Sequence, residues 1–211
     1  MIATAILPVK RFALAKQRLG LGGGQRRALA AAMLEDVLEA IATARMIERT
    51  IVVSGERAAV EIATAAGAEV VDDPKDAGHS QAATMGVDRA KALGASCVAL
   101  LPGDCPLLDP RELDSLLTGV PADYVAIVPD RHGTGTNSLV LSPPDAIQPA
   151  FGEGSRERHT EGARAMGVPF SVEPVASLAL DLDTPADIIA LTRALDSGAR
   201  GASRTARVLG I

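Results

Sequence analysis

The stretch "LLPGDCPLLD", Leu100 to Asp109, decides the fold. An apolar run from Cys97 to Leu101 stops at Pro102 and Gly103, and one carboxylate, Asp104, follows the stop. The run shows no alternation of polar and apolar residues. It therefore reads as a strand buried on both faces, as in the centre of a parallel sheet. In open α/β sheets, ligands sit outside the carboxyl ends of the strands. Asp104 stands just past such an end and is a candidate ligand group.

To either side of this stretch, strand and helix alternate. "TAILPV" (Thr4 to Val9), "TIVVSG" (Thr50 to Gly55), "AEVVDD" (68–73) and "DYVAIVPD" (123–130) read as strands. Between them lie helical segments. In the first, Leu29, Met33, Leu34, Val37, Leu38 and Ile41 recur at helical spacing. "RAAVEIATAAG" and "SQAATMGVDRAKALG" are helices closed by Gly67 and Gly94, and "PRELDSLLTG" opens with Pro110 near its first turn. Alternation of this kind implies crossovers and a mostly parallel central sheet flanked by helices.

After Asp130 the texture changes. "RHGTGTN" is a Gly/Thr loop, "SLVLSP" a strand, and "FGEGSRERHTEGARAMG" a loop running into a short helix. "PFSVEPV" and "LALDLD" read as strands. "TPADIIALTRAL" is a last helix with Thr184 as N-cap and Pro185 at its first position. The end of the chain, 197–211, carries three arginines with Gly and Ser and no periodicity. It is expected to be a flexible tail behind one domain spanning 1–196.

Composition narrows the function. The net charge of −5 disfavours a general nucleic-acid binder, and an aromatic content of 2 % offers almost no stacking platforms for single strands. Cys97 and Cys105 form no CxxC or zinc pattern and read as reduced thiols. No apolar run reaches the roughly 18 residues of a membrane span. The start "MIATAILPVK" lacks the basic region of a signal peptide, so a cytoplasmic protein is expected.

Several features fall on the same sheet edge as Asp104. "LPVKRFALAKQRLG" follows the first strand and supplies Lys10, Arg11, Lys16 and Arg18. "DDPKDAGHSQ" follows the third strand, and "DLDTPADI" supplies Asp181 and Asp183. Two acids from distant segments with a basic loop between them suit Mg²⁺ bridging phosphates, since this hard ion takes one or two carboxylates plus phosphate oxygens. The loop is neither a Walker A nor a GxGxxG motif. The residues alone thus describe an α/β enzyme handling a phosphorylated ligand with Mg²⁺, without specifying the reaction.

With "LPVK…AKQRL", "PGDCPLL", "GTGTNSL", "FGEGSRERH" and "DLDTPADI" in this order, residues 2 to 195 resemble the CofC/FbiD-type guanylyltransferases. These are a branch of the MobA-like nucleotidyltransferase superfamily. Two stretches depart from the wider pattern: "LPVK" stands where most MobA-like enzymes carry "LAGG", and "GHS" (78–80) stands where many relatives have Gly-Leu-Asn.

The resemblance implies a single GT-A/Rossmann-like domain that transfers GMP from GTP to a three-carbon phospho-acid and releases pyrophosphate, in coenzyme F-420 biosynthesis. The acceptor would be phosphoenolpyruvate, 2-phospho-L-lactate or 3-phospho-D-glycerate. It implies Mg²⁺ on Asp104 and Asp183, with Lys16 completing the catalytic set. Lys16 and Arg18 would meet the β- and γ-phosphates, and Leu7, Pro8, Val9, Gly78 and Ser80 the nucleoside. Thr136, Asn137, Gly152 and Ser155 would hold the acceptor, with Arg156 as neighbour. His79 is a further candidate contact, and a homodimer is permitted. Two alternatives stay open at this point: transfer to a molybdopterin or sugar phosphate, and a non-catalytic GTP-binding domain.

Overall fold

The computed structural model describes residues 2–12, 16–76 and 78–211. Seven strands form one sheet: β1 (Ala3–Pro8), β2 (Ile47–Ser54), β3 (Glu69–Asp72), β4 (Val98–Leu100), β5 (Tyr124–Pro129), β6 (Thr136–Ser142) and β7 (Phe170–Val172). The order across the sheet is β3-β2-β1-β4-β6-β5-β7. Helices α1 (Gly23–Thr43), α2 (Arg57–Ala65), α3 (His79–Ala92), α4 (Pro110–Leu117) and α5 (Ser155–Met166) follow strands, and α6 (Pro185–Asp196) and α7 (Ser203–Leu209) end the chain. The mostly parallel α/β architecture expected from the alternation is present.

β1 explains why the core has two halves. Ala3, Ala5 and Leu7 point to one face, where they join Leu29, Met33 and Val37 of α1. Ile6 points to the other, beside Ala83 and Val87 of α3. All six residues of β1 are buried, as its unbroken apolar run requires. Gly86 lets α3 lie close on this strand: a Cβ there would sit 2.3 Å from Ile6 Cγ2.

Among the described strands, β6 alone runs against its neighbours, antiparallel to both β4 and β5. This reversal positions the site. It places the start of β6, where Thr136 pairs with Pro129, at the carboxyl edge of the other strands.

Two segments differ from expectation. Residues 178–183 form no strand; a 3₁₀ turn over Ala176–Leu178 leads into an irregular stretch. Its amides are satisfied elsewhere: Leu182 N–H donates to the Asp104 carbonyl at 3.3 Å and Asp183 N–H to the Asp187 carboxylate at 3.0 Å. The segment 197–211 contains α7 rather than a flexible tail. Asp36 of α1 is the cause. Its carboxylate accepts from Thr205 N–H at 2.9 Å, Thr205 Oγ1 at 2.8 Å and Arg204 N–H at 3.1 Å, satisfying the first turn of α7. An acid on a helix 168 residues earlier leaves no local trace in the tail's own pattern.

Candidate active site

A cleft of about 480 Å³ opens at the carboxyl edge of the sheet. Its apolar wall is Ala30, Met33 and Leu34 of α1, and its charged side holds Lys16, Arg18, Asp104 and Asp183. Pro8 and Val9 line its floor at the end of β1. A volume of this size is ordinary for a small-ligand site.

The centre is Lys16. Its Nζ donates to Asp104 Oδ2 at 2.6 Å and to Asp183 Oδ1 at 2.8 Å. The lysine side chain is only 5 % exposed, whereas the carboxylates are 35 % and 49 % exposed and face the cleft. Burial works to discharge the ammonium, but the two carboxylates outweigh it and hold Lys16 well above its ordinary value. Burial likewise opposes the charge of Asp104, and Lys16 overcomes it, holding Asp104 below the usual carboxylate range. Lys16 has φ 59°, a left-handed backbone uncommon outside glycine. That conformation opens the 3₁₀ turn over Gln17–Leu19, of which Lys16 is the N-cap.

Each acid is fixed from behind. Asp104 follows β4, and Cys105 packs fully buried beneath it, with Sγ donating to the Leu178 carbonyl at 3.5 Å. Burial, reinforced by the nearby carboxylates, pushes the Cys105 thiol up, so it is an inert packing group rather than a nucleophile. Asp183 precedes α6. Asp187 accepts from the N–H of Asp183 and Thr184 and from the Thr184 hydroxyl, and it pairs with Arg131. That arrangement gives α6 the Thr184 cap read from the sequence and orients Asp183 toward the cleft. Asp181 lies close by; burial and then the charges of Asp104 and Asp183 raise it.

The Asp104–Asp183 pair fits a hard divalent cation. The two carboxylates converge on a single cationic position, now held by an ammonium, and both are open to solvent. Among the described residues no three His, Cys, Asp or Glu side chains form a metal cluster. Mg²⁺ shared with phosphates needs only one or two carboxylates.

The remaining sequence candidates divide. Leu7 is fully buried in β1, and its side chain belongs to the core. Gly78 is the N-cap of α3 at φ 108°, and neither it nor Ser80 lines the cleft; His79 between them does. Asn137 reaches the site from the reversed strand, donating to the Leu178 carbonyl at 2.8 Å and to Asp181 Oδ1 at 3.4 Å. Thr136 and Ser155 are buried and bound to each other, Thr136 N–H donating to Ser155 Oγ at 2.8 Å. Gly152 lies in the loop before α5, at φ 110°. Of the implied set, Lys16, Arg18, Asp104, Asp183, Pro8 and Val9 share one cleft, while Thr136 at the start of β6 and Ser155 at the start of α5 flank the loop that carries Gly152.

That loop, 150–154, is held by two residues that sequence reasoning did not single out. Arg158 donates to the carbonyls of Ala150, Phe151 and Glu153. His159 accepts from Ala150 N–H through Nε2 at 2.9 Å, so its Nδ1–H donates to Thr136 Oγ1, also at 2.9 Å. Burial, aided by the Arg158 charge, lowers the His159 pKa to about 4, which keeps the ring neutral for this double role. The available signal was the helical spacing of "RERH", which puts both residues in the first turns of α5. The Phe151 ring then links the loop to the cleft: it lies 4.8 Å from His79 and 5.2 Å from His159, edge-on to both.

Solved structures share this architecture. A putative nucleotide-diphospho-sugar transferase from Desulfovibrio desulfuricans superposes with a TM-score of 0.75 over 99 % of this chain and 94 % of its own, at 19 % identity. A nucleotidyl transferase from Methanothermobacter matches with a TM-score of 0.67 over 93 % of this chain and 99 % of its own, at 17 % identity. The fold is that of the nucleotidyltransferases. Residues 3–197 match the family described as "Guanylyl transferase CofC like", and the chain belongs to that family. Among its relatives, phosphoenolpyruvate guanylyltransferase of Conexibacter woesei is 46 % identical over 99 % of this chain and 96 % of its own. A 3-phospho-D-glycerate guanylyltransferase of Phenylobacterium zucineum is 36 % identical over 91 % and 90 %. No helix among the described residues is long and apolar enough to cross a membrane.

Proposed function

We propose that the protein transfers GMP from GTP to a small phospho-acid, with phosphoenolpyruvate as the first choice of acceptor and Mg²⁺ as cofactor. The observation that carries this reading is the convergence of two solvent-facing carboxylates from β4 and the α6 approach on one cation position, beside a basic loop and an apolar wall. The names of the relatives favour phosphoenolpyruvate, with 3-phospho-D-glycerate as an alternative; 2-phospho-L-lactate is an alternative that the family resemblance implies. As the family resemblance implies, we further propose that the step belongs to coenzyme F-420 biosynthesis.

In this reading an acceptor phosphate oxygen forms a bond to the α-phosphorus of GTP. The α–β phosphoanhydride bond breaks, and pyrophosphate leaves with the electron pair. Such transfers depend on positioning and charge neutralisation. Asp104 and Asp183 would hold Mg²⁺, which neutralises phosphate oxygens when bound. Lys16, freed from one of its carboxylates, and Arg18 would neutralise the departing phosphates. The Pro8–Val9 backbone and the wall of Met33 and Leu34 would seat the nucleoside. Thr136, Ser155 and Gly152 shape the acceptor loop, and Asn137 steadies Asp181 beside the reacting centre.

Pyrophosphate release, coupled to pyrophosphatase, tests this with Mg²⁺, each nucleoside triphosphate and each of the three acceptors. Release with GTP and phosphoenolpyruvate is expected. Folded protein that binds GTP but releases nothing with any acceptor would refute the assignment of guanylyl transfer.

A further inference from the structure

The three histidines differ in how their ring nitrogens are employed. His159 spends both inside the protein, on Thr136 and Ala150. His132 is exposed and accepts from the Arg131 guanidinium. His79 lines the cleft, yet neither of its ring nitrogens has a hydrogen-bond partner among the described residues. Its ring is nonetheless fixed, edge-on to Phe151 at 4.8 Å.

An apolar side chain would pack on Phe151 equally well. A half-buried imidazole whose nitrogens are not spent on the described residues keeps them available to a ligand in the cleft. The ring lines the cleft together with Lys10, Lys16, Arg18, Asp104 and Asp183, and the charges of Asp104 and Lys10 act on it. Among these cationic side chains a phosphoryl group finds better-matched partners than a base does. The ring also touches the loop that would carry the acceptor, so it stands where the two substrates meet.

We propose that His79 is a catalytic residue whose ring N–H donates a hydrogen bond to an oxygen of the phosphoryl group at the reacting end of the bound nucleotide. The assignment deepens the guanylyl-transfer reading and rests on it. It differs from the roles of Lys16 and Arg18 because a neutral imidazole contributes direction rather than charge. It also ties the acceptor loop, through Phe151, to the position of the reacting phosphorus.

His79→Phe keeps a ring against Phe151 and removes the donor; His79→Gln keeps a donor. His79→Leu replaces the Phe variant if that one does not fold. The full-length protein is measured for kcat/KM with GTP by pyrophosphate release, for GTP affinity by calorimetry without acceptor, and for Tm. The Phe variant is expected to lose about tenfold to a hundredfold in kcat/KM, the worth of a hydrogen bond to a charged group. Its Tm should stay at the wild-type value, and Gln should recover most of the loss. Wild-type kcat/KM in the Phe variant, or equal losses in Phe and Gln, would overturn the proposal. If the wild type turns over no acceptor, guanylyl transfer itself fails and calorimetry decides on His79. Weaker GTP binding by the Phe variant then supports the contact, and equal binding removes it.

Discussion

Lys16→Met offers the sharpest perturbation of the site. The substitution keeps an unbranched chain in a buried slot and deletes the ammonium that Asp104 and Asp183 share. Two effects follow, of different size. For catalysis, losing one preorganised charge aimed at the phosphates costs about 10²–10³ in kcat, or about 3–4 kcal/mol of transition-state stabilisation. For stability, breaking a fully buried pair would cost about 3–5 kcal/mol. Here the carboxylates are 35 % and 49 % exposed, so water takes over much of the lost contact. The expected cost is therefore about 1–2 kcal/mol, a Tm drop of a few degrees for a chain of this size.

The same pairing sets the pH dependence of that difference. Asp104 is depressed and Lys16 is raised. The stabilisation is thus fully present above the ordinary aspartate value near 3.8 and below the ordinary lysine value of 10.5. It is lost as pH falls through the depressed Asp104 value, and again as pH rises through the raised Lys16 value. Thermal melts of wild type and variant should lie apart at pH 7 and converge in strong acid. Pyrophosphate release at pH 7 reads the catalytic arm. A variant within tenfold of wild-type kcat would refute the assignment of Lys16 to phosphate neutralisation. A Tm gap that persists unchanged into strong acid would refute the ion-pair account of its stability.

Asp104→Asn, which keeps shape and removes charge, should abolish pyrophosphate release while leaving Tm within a few degrees; normal turnover in the folded variant would remove the metal assignment. Chelation by EDTA should stop release by the wild type and added Mg²⁺ restore it, and activity that survives exhaustive chelation would do the same damage. His159 is lowered to about 4 from an ordinary 6.5, so the folded state resists its protonation. Stability is full above pH 6.5 and falls by about 3 kcal/mol as pH drops to about 4; His159→Asn should flatten that part of the Tm–pH curve and raise the acceptor KM more than the GTP KM. Asp36→Ala leaves the first turn of α7 without its acceptor, at a cost of about 2–3 kcal/mol. A Tm drop of roughly 5–10 °C is expected, and an unchanged Tm would show that α7 docks without that cap.

The sequence by itself determined the parts that local chemistry writes. The apolar runs of β1 and β4 need cover on both faces, and the spacing from Leu29 to Ile41 marks one buried helical stripe. Thr184 and Pro185 mark the start of α6 through capping chemistry that acts over three residues. Asp104 was legible because a strand end, a proline and a glycine left one acid at the edge where ligands bind. Asp183 and Lys16 were legible as an acid and a cation on the same edge, and the ordered motifs supplied their likeness to a family.

Tertiary structure alone decided what depends on contacts between distant residues. Lys16 meets partners 88 and 167 positions away, and no periodicity encodes that meeting. The reversal of β6 is set by its pairing with β4 and β5, which brings Asn137 to the site. Residues 178–183 read as a strand, yet the Leu182 and Asp183 amides bond to Asp104 and Asp187 rather than to a neighbouring strand. The tail folds because Asp36 caps it from another helix. His79 and His159 are the same residue type and both meet the Phe151 ring edge-on, yet His159 spends its nitrogens on Thr136 and Ala150 whereas those of His79 have no hydrogen-bond partner among the described residues. Propensity and capping act over one to four residues, whereas hydrogen-bond satisfaction and charge pairing are settled by whatever folding brings within 3 Å.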